Sequence, residues 1–133
     1  MKKLYLLILF AALLGCRKEK KVENIVIQAM VKGQWVVTNF NKGGTDLTTD
    51  FIPYKFQFKT DFTVDAINNG SVEKTGTWNA DAASQSITSN FTNAVNPLAL
   101  LNGTWTITNS YWTWVEAEQT VNGEFRTLRL DKK

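Results

Sequence analysis

The chain has 133 residues, with fifteen Lys and Arg against twelve Asp and Glu, no histidine and one cysteine. One cysteine excludes an internal disulfide, and the lack of histidine removes both the usual neutral-pH base and the commonest metal ligand. The formal charge of +3 belongs to the N-terminal end: from Asn24 onward nine basic residues stand against ten acidic ones, a body near −1 without the basic patch of a nucleic-acid reader.

Lys2 and Lys3 open the chain, an uncharged and largely apolar run of eleven residues extends from Leu4 to Leu14, and Gly15 precedes the lone Cys16. A membrane-spanning helix needs about 20 residues, so the run suits the core of a secretory signal instead. Leu13-Leu14-Gly15-Cys16 resembles a lipobox, the processing site of bacterial lipoproteins. The resemblance implies a diacylglycerol thioether on Cys16 and cleavage between Gly15 and Cys16. It also implies export and a membrane anchor, with the outer membrane as the expected address, because two or more acyl chains hold stably where one holds marginally. An acylated Cys16 leaves no free thiol for catalysis or metal binding. Residues 1–15 are then a signal peptide and 16–23 a charged tether carrying Arg17, Lys18, Lys20 and Lys21. The tether reads as a solvated spacer. Residues 24–133 form one domain, large enough for a single core without staples.

In chain order, Glu23 to Lys32 reads as a turn or two of helix before Gly33, and Trp35 to Phe40 as the first strand. Asn41 to Pro53, rich in Gly, Thr and Asp, reads as a long loop. Tyr54, Phe56 and Phe58 alternate with Lys55, Gln57 and Lys59, the clearest period-two strand in the chain. Thr60-Asp61 turns into Phe62 to Ala66 as a hairpin. Asn68-Asn69-Gly70 is a turn, since Asn and Gly tolerate positive φ, and it leads into Ser71 to Trp78. Ser84 to Phe91 is a further strand. Asn96-Pro97 through Gly103 has a capping residue, a proline at the first helical position and a glycine past the end, and so predicts a second short helix. Thr104 to Asn109, Tyr111 to Gln119 and Phe125 to Leu130 complete about eight strands, with Asn122-Gly123 as a type I′ hairpin signal. The pattern is all-β and antiparallel. It fits an eight-stranded barrel with one or two short helices, or a β-sandwich, since closure is not written in the strand count.

Three segments echo one another: Gly33-Gln34-Trp35, Gly76-Thr77-Trp78 and Gly103-Thr104-Trp105. Each opens or ends a strand, and its spacing puts an indole on the face of the glycine, where it can cover one end of a sheet or barrel. With the lipobox and the strand count, these motifs resemble the lipocalin-like lipoproteins of the Bacteroidetes over residues 33–133. The resemblance implies a small lipocalin-like barrel whose interior holds side chains or one small ligand. It also implies a basic residue at the barrel end, Arg126 or Arg129, against Trp35 as a cation–π contact. The Thr-Asp-Tyr turn of true lipocalins has no counterpart in the chain.

Candidate ligand contacts are Trp112 and Trp114, which flank Thr113 and are expected on one strand face, together with Tyr54, Phe56 and Phe58. Each of these also suits a packed core, and core is the natural place for large aromatics. Trp35, Trp78, Trp105, Arg126 and Arg129 are the structural candidates for the barrel ends. Catalysis has little support. Asp61 with Asp65 and Glu116 with Glu118 are paired carboxylates only by strand geometry. The loop with Asp46 and Asp50 lacks the Asp/Asn ladder of a calcium site. The expectation is a non-enzymatic protein without metal, cofactor or nucleic acid. It either binds a small apolar or amphipathic molecule in an internal cavity of a few hundred Å³, or is packed solid and meets a protein through an exposed apolar patch.

Overall fold

The structure is a computed structural model and describes residues 25–133. The expected signal peptide, Cys16 and the expected tether lie outside the described residues. Helix α1 runs through residues 25–31 and stops ahead of Gly33, whose φ of +79° reverses the chain. Nine strands follow: β1 (Trp35–Lys42), β2 (Thr45–Asp46), β3 (Tyr54–Phe58), β4 (Thr63–Asn68), β5 (Ser71–Asp81), β6 (Ser86–Asn90), β7 (Gly103–Tyr111), β8 (Trp114–Val121) and β9 (Glu124–Lys132).

From β3 onward each strand pairs antiparallel with its sequence neighbour. β1 pairs with β9 from Trp35↔Lys132 to Lys42↔Arg126, and with β3 through Trp35↔Phe56. These pairings close eight strands into a barrel and exclude the sandwich. The two-residue β2 folds back on the end of β1. Alternation aims Tyr54, Phe56 and Phe58 inward with Val64, Ala66, Trp78, Trp105, Val115, Ala117, Leu128 and Leu130. A bulge between Val37 and Asn39 lets Val37 and Phe40, three apart, both face the core.

Both barrel ends are stoppered. Met30 of α1 and Trp35 are buried at the helix end. At the other end sit Phe51, on a 3-10 turn over Thr48–Phe51, and Leu98, Leu100 and Leu101 on a second one over Leu98–Leu101. Phe51 lies 5.2 Å from Phe40 between ring centroids.

Three expectations change. The stretch from Asn41 to Pro53 is ordered structure, because a Gly43-Gly44 turn starts β2 and Phe51 has a place in the core. The helix after Asn96 is a single 3-10 turn with no side-chain cap, since three of its four residues are drawn inward. The strand expected from Tyr111 to Gln119 is broken at its start: Tyr111 pairs with Trp114, and Trp112-Thr113 is the hairpin connection.

Candidate functional site

The barrel interior is nearly full. Side chains leave a cavity of about 50 Å³ among residues that include Phe56, Phe58, Val64, Ile87, Phe91, Trp105 and Ala117. Pockets for drug-sized ligands run to about 300–1,000 Å³, so the calyx of a few hundred Å³ is not inside the barrel. The sole hydroxyl on this wall, that of Ser89, donates to the Leu101 carbonyl. Phe56 and Phe58 line the cavity, whereas Tyr54 lies toward the opposite end and donates its hydroxyl to Glu73 at 2.9 Å. Burial, with Glu73 second, pushes the Tyr54 hydroxyl above its ordinary pKa.

A concave space with apolar walls lies at the helix end. A cleft of about 240 Å³ opens between α1 and the β7–β8 hairpin. Ile25, Val26, Ala29 and Met30 form one wall and Ile107, Ser110, Tyr111, Trp112 and Val115 the other, with Ile87 between them. Among the described residues, none that lines the cleft is charged. Met30, Ile87, Ile107 and Val115 also line the interior cavity, so the two spaces meet across these four side chains. Ile25, Tyr111 and Trp112 at the rim are 41%, 65% and 46% exposed, which sets them apart from the buried aromatics of the core.

The two indoles expected on one face are thus separated. Trp112 stands in the hairpin connection and lines the cleft. Trp114 lies on the outer wall beneath Arg129, whose guanidinium carbon is 4.6 Å from the ring centroid. The inward positions of β8 belong to Val115, Ala117 and Gln119, the alternate set. Arg129 bonds Asp131 at 2.9 Å and Glu116 at 3.4 Å, and Arg126 bonds Glu124 at 3.0 Å near the opposite end. Neither arginine faces Trp35. Lys132 does, with Nζ 4.9 Å from its ring centroid, because the β1–β9 register sets Trp35 opposite Lys132.

Trp35, Trp78 and Trp105 are buried, and each indole N–H donates to a main-chain carbonyl outside its own strand. The acceptors are Met30 at 2.8 Å, Lys59 at 3.0 Å and Leu101 at 3.0 Å. Sequence reasoning missed Ile25, Met30, Ile107 and Tyr111 as cleft residues. No local signal marks them, because the consecutive pair Tyr111-Trp112 reads as strand.

The Asp61 and Asp65 carboxylates sit elsewhere and are engaged, as is Glu116 through Arg129. Asp65 takes Lys59 at 2.7 Å and Thr75 at 2.7 Å, and Asp61 takes the Thr63 hydroxyl at 2.6 Å. Asp46 takes Thr48 in the same way at 2.6 Å. Among the described residues no three of His, Cys, Asp and Glu gather in a way that could hold a metal ion, and no helix is long and apolar enough to cross a membrane.

The fold and cleft together define a closed, eight-stranded antiparallel barrel with one capping helix. Among solved structures it resembles a DUF4847 family protein from Bacteroides vulgatus, with a TM-score of 0.56 and 15% sequence identity over 81% of this chain and 97% of that one. At that identity the likeness is one of fold. No protein-family model and no curated protein matches the chain.

Proposed function

We propose that this chain is an exported, lipid-anchored envelope protein whose barrel binds a small apolar or amphipathic molecule, without catalysis, in the cleft at its helix end. One observation carries the binding reading: three large, partly exposed apolar side chains, Ile25, Tyr111 and Trp112, converge on an uncharged concave space of about 240 Å³. Scattered exposed apolar residues need no explanation, but a contiguous concave set marks a binding site. The anchor rests on the lipobox-like Leu13 to Cys16. The filled centre favours a second reading, in which the same rim meets a protein partner and the barrel is only a scaffold.

Native mass spectrometry of the full chain released from its membrane distinguishes the two. The binding reading expects a co-released small molecule of fixed mass, with its occupancy cut about tenfold by Trp112→Ala. A bare chain, or occupancy indifferent to Trp112→Ala, leaves the scaffold reading in its place. The anchor is checked separately by cell fractionation. Cys16→Ser is expected to move the protein from the membrane to the soluble fraction, and retention on the membrane would refute the anchor.

A further inference from the structure

Phe62 occupies an unusual place. It ends the turn between β3 and β4 with φ +65°, a left-handed conformation in which a bulky side chain is an outlier. The turn closes with Phe62 N–H on the Lys59 carbonyl and Lys59 N–H on the Thr63 carbonyl, the position where hairpins with a bulge ordinarily carry glycine. A non-glycine residue there is strained, and such strain gathers at functional sites. The core does not fully account for the ring. Phe62 lies 5.7 Å from Trp78 between centroids, yet remains 41% exposed.

The surroundings say what this aromatic would meet. A groove of about 430 Å³ runs from Phe62 and Trp78 over the outer wall of β4, β5 and β6, where Thr63, Thr77, Asn79, Thr88 and Asn90 stand. Register places Thr63 opposite Thr77, Thr77 opposite Asn90, and Asn79 opposite Thr88, so hydroxyls and amides form a continuous sheet surface. Asn79 spends its Oδ1 on the Ala80 N–H, and Asn90 spends its Nδ2 on Thr92, which leaves one amide atom of each for a ligand. The only charged lining residue, Asp61, is taken up by the hydroxyl and N–H of Thr63. The wall made by β8, β9 and β1 is different in kind, since it carries Glu116, Arg129 and Asp131 in an ion-pair network.

We infer that the Phe62 groove is a second binding site, and that it takes a neutral oligosaccharide. A sugar ring offers an apolar C–H face for an aromatic and a rim of hydroxyls for uncharged donors and acceptors. Strand-borne Thr and Asn supply those without the desolvation cost that a charge would carry. This site is on the outer wall and independent of the helix-end cleft.

The test is NMR of the full chain, labelled with 15N-tryptophan and held in nanodiscs, titrated with maltohexaose, mannohexaose and chitohexaose to about 10 mM. A saturable shift of the Trp78 indole N–H with at least one hexaose is expected, while the Trp112 and Trp114 signals stay in place. Phe62→Asn suits the left-handed backbone and removes the ring. Thr77→Glu puts a charge into the groove from an exposed position. Each is expected to weaken the titration about tenfold or more. No Trp78 shift with any hexaose, or a titration unchanged in both variants, overturns the assignment.

Discussion

Lys132 joins the helix to the barrel through a single ammonium group. Its Nζ donates to the Ala29 carbonyl at 2.9 Å and stands over the Trp35 ring. The last carbonyls of a helix have no partner within it, and here Lys132 satisfies that of Ala29 while the Trp35 indole satisfies that of Met30. Positive charge at a helix C-terminus is favourable in itself. Against this, burial, helped by Lys32, pushes the Lys132 ammonium below its ordinary pKa. Lys132→Met keeps an apolar stem against Gly33 and removes the donor. We expect a local loss of roughly 1–2 kcal/mol, seen in hydrogen exchange as amides of residues 25–31 exchanging about fivefold faster or more. The β4 and β5 amides are expected to keep their rates. Equal acceleration in those strands would mean that Lys132 supports the whole barrel and not the helix joint. The Gly-x-Trp glycines also have residue-level reasons, and these differ. Gly33 needs its positive φ, whereas a Cβ on Gly76 would lie 2.5 Å from the Asn90 carbonyl oxygen, so the glycine there admits the neighbouring strand.

At the scale of elements, what the sequence made legible follows from local physics. The aromatic alternation of β3 and the Asn-Gly turns before β5 and β9 need only neighbours in sequence. Those turns fall where Asn69-Gly70 and Asn122-Gly123 both take positive φ. The β7–β8 connection had no such signal, because neither Trp112 nor Thr113 has positive φ, and two aromatics in a row imitate a strand. That single hidden turn shifted the expected face of Trp112 and hid the cleft. The order within Asn41 to Pro53 and the 3-10 form of Leu98–Leu101 escape local signals for another reason. Their order comes from burying Phe51 and the leucines against strands distant in sequence. The cleft was least legible of all. Its two walls, α1 and the β7–β8 hairpin, lie about eighty residues apart in the chain and meet only once the barrel closes.

Closure is the property of the whole molecule on which the cleft and the outer groove depend, and its seam is between β1 and β9. Charged groups concentrate along that seam. Lys42 of β1 bonds Glu124 of β9 at 3.1 Å, Thr38 of β1 donates to Asp131 of β9, and Arg126 and Arg129 brace the same two carboxylates. These contacts hold both acids below the ordinary carboxylate range. Lys42 and then Arg126 act on Glu124, and Arg129 and then Thr38 on Asp131. On β4, Lys59 and then Thr75 hold Asp65 down in the same way. A carboxyl with a depressed folded pKa binds its proton more weakly when folded than when unfolded. It therefore adds stability at pH above the unfolded value of about 4, and that stability is lost as pH falls through the folded value. Melting temperature is thus expected to be flat from about pH 6 to 8 and to fall steadily below about pH 4. The paired variant Glu124→Gln with Asp131→Asn is expected to melt lower at neutral pH and to lose less on acidification, so that the two curves converge in acid. Thermal melts followed by circular dichroism across this range decide the matter. Parallel curves, offset by the same amount at every pH, would show that the two seam carboxylates contribute packing and hydrogen bonds but not proton-linked closure.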